Sequence, residues 1–79
     1  MNLYHISQSV NDDWDTYDSA VVAAETVEQA AATHPSNNHS WDSIWPTWCD
    51  KPSEVTVKLI GTALEGTTAG VILSSFNAG

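Results

Sequence analysis

Polar and apolar residues alternate from the start of the chain. Over residues 3–10, Tyr4, Ile6 and Val10 fall on one face and Leu3, His5, Ser7 and Ser9 on the other, the period of a half-buried strand. Residues 19–24, centred on Val21 and Val22, predict a second strand. Between them lies Asn11-Asp12-Asp13-Trp14-Asp15-Thr16-Tyr17-Asp18, which opens with turn formers whose side chains can bond their own backbone. The two strands make a hairpin with a loop of eight residues, where about two to five are usual. A loop longer than its geometry requires points to a presented surface.

The period then changes. Thr26 and Gln29 have the spacing of a capping box. Val27, Ala30, Ala31 and His34 recur at i, i+3, i+4 and i+7, a narrow face of small residues suited to lying close on a sheet. This predicts a helix of about two turns, ended by Pro35, with Glu28 near the positive end of its dipole. In residues 36–53, Pro46 and Pro52 break any regular element, yet Trp41, Trp45 and Trp48 are too costly to leave in water. The expected arrangement is a loop folded back over the sheet, with Trp45 or Trp48 as its plug. Residues 54–61 alternate again, Val55, Val57 and Leu59 against Thr56, Lys58 and Ile60. A glycine-containing turn over residues 64–70 leads to a fourth strand over 71–76, predicting a second hairpin. Strand, strand, helix, strand, strand predicts one α+β domain over residues 1–79: a four-stranded, mostly antiparallel sheet with a short helix on one face. A right-handed crossover through the helix places the third strand beside the first.

Composition sharpens this picture. Leu, Ile, Val and Phe make up 16 of 79 residues, close to the level at which chains stay disordered. Four tryptophans and two tyrosines, each able to bury roughly 150–250 Å², tip the balance toward a fold. Ten acids against two lysines and no arginine give a net charge of −8. Nucleic acid and anionic membranes are therefore not expected as direct partners, since binding them takes clustered Lys and Arg. Basic proteins, including those that themselves hold nucleic acid, are attracted. The same acidity also serves simply to keep a small protein soluble. A single cysteine, Cys49, excludes an intramolecular disulfide and fits a reducing compartment. With no basic leader and no apolar run of about 20 residues, a soluble, cytoplasmic protein is expected.

The acidic stretch fails as a metal site or an active site. An EF-hand loop counted from Asp13 has Asp15 at its third position, but Tyr17, Asp18 and Ala24 do not fit the fifth, sixth and twelfth. Catalytic carboxylates sit in clefts, and a hairpin tip offers little burial. His39 and Cys49 lack a zinc spacing. His5 reads as a strand residue and His34 as a helix-end residue. No phosphate loop or nucleophile framework is visible, so neither an enzyme nor a cofactor is expected. As a partner-binding surface the stretch makes better sense. Asp12, Asp13, Asp15 and Asp18, with Glu25 and Glu28, place six of the ten acids within seventeen residues. Alternate residues of an extended chain lie about 6.6–6.8 Å apart on one face, so such a row can imitate phosphates, and Trp14 and Tyr17 supply aromatic anchors. In the competing reading the two rings fold inward and the acids are merely solvated. The tryptophans of residues 41–48 carry the same choice between core and interface.

Several segments together carry a resemblance: Asp15-Thr16-Tyr17-Asp18-Ser19-Ala20-Val21-Val22-Ala23-Ala24-Glu25, the helix ending in His34-Pro35, Val55-Thr56-Val57-Lys58-Leu59-Ile60-Gly61-Thr62-Ala63, and the final residues 71–79. Apart from the tryptophan loop, the chain resembles nearly end to end a family of short, mostly uncharacterised phage and prophage proteins. Some of these are similar to small anti-CRISPR proteins acting on type I surveillance complexes. The resemblance implies an inhibitor that binds a basic host-defence complex and blocks its access to DNA; the alternative is a small structural or accessory phage protein. It brings no catalytic or ligand residues. Where relatives have basic residues in the helix, this chain has Ala30-Ala31-Ala32, which puts any use of that helix surface in doubt.

Overall fold

A computed structural model of the chain describes residues 1–12, 14–36, 41 and 47–77. Two strands, β1 (Asn2–Ser7) and β2 (Thr16–Ala24), pair antiparallel with Tyr4 opposite Val22 and Ile6 opposite Ala20. Alternation sends Tyr4, Ile6, Ala20, Val22 and Ala24 to one face, where all five are buried. The helix α1 (Val27–Ala31) packs across this face against β1, β2 and the third strand. Thr26 caps it as expected, its Oγ1 accepting from the Gln29 N–H at 3.0 Å, while Gln29 Oε1 accepts from the N–H of Glu25 at 2.6 Å. The helix is shorter than its spacing predicts. Ala32 is the C-cap, and Thr33 turns its Oγ1 back onto the Gln29 carbonyl at 2.9 Å. Val27 is left half exposed, and Ala30 and His34 carry the buried face.

Trp48, 1 % exposed, is the largest fully buried side chain and completes the core with Cys49. The plug of the tryptophan loop is thus Trp48; Trp45 lies outside the described residues. Trp41 packs half-buried at the core's margin.

A short 3-10 turn, Pro52–Glu54, leads into β3 (Thr56–Thr62), and β4 (Gly70–Asn77) ends the sheet. The strand order is β3-β1-β2-β4, antiparallel throughout. The domain is α+β, and β3 lies beside β1 as the crossover requires. The second hairpin does not form, because β3 and β4 occupy opposite edges. Residues 63–69 instead cross the ends of β1 and β2, three strand spacings or roughly 14 Å, well within the reach of seven residues. They turn at Gly66, whose φ of 88° suits the third position of a type II turn. Burial explains the order: β2 has five buried positions, β3 and β4 none, so β1 and β2 take the centre. Two boundaries also shift. Val10 is 55 % exposed beyond the end of β1, and β2 begins at Thr16 because Thr16 and Tyr17 pair with Asn77 and Phe76.

Candidate functional site

Residues 8–15 connect β1 to β2, and hydrogen bonds fix both ends of this loop. Gln8 Nε2 donates to the carbonyls of Asn11 at 2.7 Å and Tyr17 at 3.1 Å, and its Oε1 accepts from the Asn11 N–H at 2.7 Å. Asn11 Nδ2 donates to the Trp48 carbonyl at 3.1 Å, tying the loop to the core plug. The Asp15 N–H donates to the Asn77 carbonyl and the Tyr17 N–H to that of Thr47, both at 2.7 Å. Asp15 has φ 61°, in the left-handed region that Asp and Asn tolerate better than most residues. Sequence reading singled out Asn11 as a turn former. It passed over Gln8, whose neighbours give no local signal because its partners are backbone groups three and nine residues away.

The tip so held presents Asp12, Trp14 and Asp15, all exposed, with Trp14 at 71 %. Asp18 is exposed just inside β2, where the register with β4 shifts between Tyr17 and Ser19, and it accepts from Ser19 Oγ at 3.3 Å. Asp13 lies outside the described residues. Tyr17 turns inward, packs against the core and meets Phe76 and His34 edge-on, with ring centroids 4.8 and 6.3 Å apart. His34 in turn meets Trp41 at 5.7 Å, and Trp41 Nε1 donates to the Ala32 carbonyl at 3.2 Å. The two rings of the stretch are therefore divided, Trp14 outward and Tyr17 inward.

The structure also divides the acids. Glu25 and Glu28 are exposed, but they follow the far end of β2, roughly 26 Å from its start by strand rise. Asp12, Asp15 and Asp18 lie with Trp14 at the loop and the start of β2, an acidic corner separate from Glu25 and Glu28 rather than one continuous row with them. Among the described residues no group of three or more His, Cys, Asp or Glu side chains is placed to hold a metal ion. Burial, with a smaller contribution from Glu54, pushes the Cys49 thiol up from 9.0 to about 11. Its Sγ–H donates to the Lys51 carbonyl at 3.6 Å, so at neutral pH Cys49 is a protonated core side chain. Among the described residues no helix is long and apolar enough to cross a membrane.

The arrangement defines a small α+β domain that presents an acidic, tryptophan-bearing corner on a fixed loop. Comparison with protein-family models, curated proteins and solved structures finds no match.

Proposed function

We propose that this chain is a phage-type inhibitor that docks its acidic corner on a basic, nucleic-acid-binding host complex and blocks DNA binding, as an anti-CRISPR protein would. The observation that carries the reading is Trp14, 71 % exposed between Asp12 and Asp15 on a loop anchored at both ends. An indole held in water by a fixed backbone has apolar area to gain on binding and little ordering to lose. The flanking carboxylates steer it toward cationic grooves, where Arg can stack on the ring.

The test uses a purified type I surveillance complex and a labelled target duplex. Excess wild-type chain is expected to abolish duplex binding at low salt and to lose this effect steeply as salt rises. Trp14→Ala is expected to weaken inhibition at least tenfold, as loss of a central aromatic anchor does. Undiminished duplex binding at the lowest salt overturns the reading. A second reading, an accessory phage assembly protein, is favoured by the sheet face opposite the helix, where Leu73 is 70 % exposed beside a shallow depression of about 210 Å³ lined by His5, Ser19, Val21 and Ser75. Association through that face would be insensitive to salt.

A further inference from the structure

The last pair of the β1–β2 ladder is Ser7 with Ser19. Beyond it the side chain of Gln8 continues the pairing. Its amide meets Asn11 as one peptide group meets another: Oε1 accepts from the Asn11 N–H and Nε2 donates to the Asn11 carbonyl, both at 2.7 Å. The second Nε2 hydrogen crosses to the Tyr17 carbonyl on β2 at 3.1 Å. Two carbonyls only accept and one N–H only donates, so these partners fix which end of the amide is which. Both donors and one acceptor site are engaged inside the loop, and the residue is half-buried. Little of the amide is left for a partner.

We infer that Gln8 is the positioning residue of the acidic corner, setting how Trp14 is presented without touching what Trp14 docks on. Its effect on affinity rests on the docking reading; the positioning itself does not. Residues 8–15 join β1 to β2. Gln8 clamps the peptide groups of Asn11, and Asp15 is held by its N–H on the Asn77 carbonyl, so only residues 12–14 lie between the two anchors. The Asn11 Nδ2 bond to the Trp48 carbonyl is by itself a tether through a rotatable side chain and leaves the backbone free to turn. Loss of the clamp therefore returns freedom to the neck of the loop, and docking has to remove it again. Each backbone residue re-ordered on binding weakens affinity roughly tenfold. No charge is altered, so the salt dependence stays as it was.

Amide hydrogen exchange of the free, full chain tests the positioning. In Gln8→Met, which keeps the length and removes the amide, the Asp15 N–H is expected to exchange roughly tenfold faster, although Gln8 makes no bond to it. Amides at the centre of β1 are expected to keep their rates. Gln8→Glu has nearly the same shape and replaces only the donor nitrogen by an acceptor, setting it against two carbonyls. A side chain that merely fills space would tolerate this change; faster Asp15 exchange is expected here too. Wild-type exchange at Asp15 in Gln8→Glu overturns the inference, whether or not the Met variant folds. On the immobilised surveillance complex, Gln8→Met is expected to bind roughly tenfold more weakly with the wild-type salt slope, and equal affinity overturns the inference as well. A wild-type chain that does not bind removes the docking reading alone, and the exchange rates still decide the role of Gln8.

Discussion

Trp14 and Tyr17 lie three residues apart and face opposite ways, but in the reverse sense to the one alternation foretells. A strict period of two counted back from Ala20 would turn Asp18 into the core and Tyr17 outward. The register shift between Tyr17 and Ser19 exchanges them, because one unpaired residue in a ladder reverses every side chain beyond it. The expected consequence is separable by mutation. Trp14→Ala should leave the melting temperature nearly unchanged, since exposed positions away from special features usually contribute within about ±0.5 kcal/mol. Tyr17→Ala should cost about 1–3 kcal/mol by opening its contacts with Phe76 and His34. Thermal melts of the two variants check this. Cys49 makes a pH prediction at the same scale. Its thiol titrates at about 11 in the fold against 9.0 otherwise, so above pH 9 the unfolded chain releases a proton that the folded chain keeps. Stability is full below pH 9 and falls between pH 9 and about 11. Melting wild type and Cys49→Ser from pH 8 to 11 should show that loss in the wild type alone, with iodoacetamide sparing the folded thiol at pH 8.

At the scale of elements, what was legible was what is local. The capping box at Thr26 and Gln29, the alternation in β1 and β3, and the small-residue face of the helix each depend on neighbours within a turn or two. Pairing was legible for β1 with β2 and, through the crossover, for β3 with β1; the place of β4 was not, because the strands that bury most take the centre and leave the others to the edges. β3 has the cleanest alternation in the sequence, yet its burial makes it an edge; β2, rich in alanine, holds the centre. The seven-residue connection with its glycine turn fits a hairpin or a crossing of two strand ends equally well. Helix α1 spans only five residues, and no isolated peptide of that length is stable, so its cap and its packing must hold it. Thr26→Ala removes the bond to the Gln29 N–H at 3.0 Å and should cost ~1 kcal/mol. For a domain of this size that lowers the melting temperature by about 4–8 °C. A drop below 1 °C would mean that packing alone sets the helix start.

For the whole molecule the deciding quantity is charge. The acids of the corner were legible one by one, but their separation from Glu25 and Glu28 follows from the length of β2 and could not be read from spacing in sequence. That separation makes a prediction about where binding energy resides. Asp12, Asp15 and Asp18 changed together to Asn take the net charge from −8 to −5. They nearly keep shape, and Asn at position 15 keeps the left-handed backbone that Asp15 adopts at φ 61°. Changing Glu25 and Glu28 to Gln takes the charge to −6 at the other end of the strand. If acidity only keeps the chain soluble, both variants should bind a basic partner as the wild type does, with stability equal or slightly raised by reduced self-repulsion. If the corner docks, the triple Asn variant should lose affinity by a large factor, since close charge pairs at such contacts are worth roughly 1.5–7 kcal/mol against about 0–1 for exposed ones. Its salt slope should flatten and its association rate fall, because steering is removed. The double Gln variant should lose only the smaller, long-range part of the rate. Trp14→Ala should act instead on dissociation, where most affinity differences within one interface lie. Surface plasmon resonance across a salt series on the immobilised surveillance complex resolves all four proteins, with melting curves confirming that each is folded. Equal loss in the triple and double variants would assign the effect to net charge and remove the corner as the docking site.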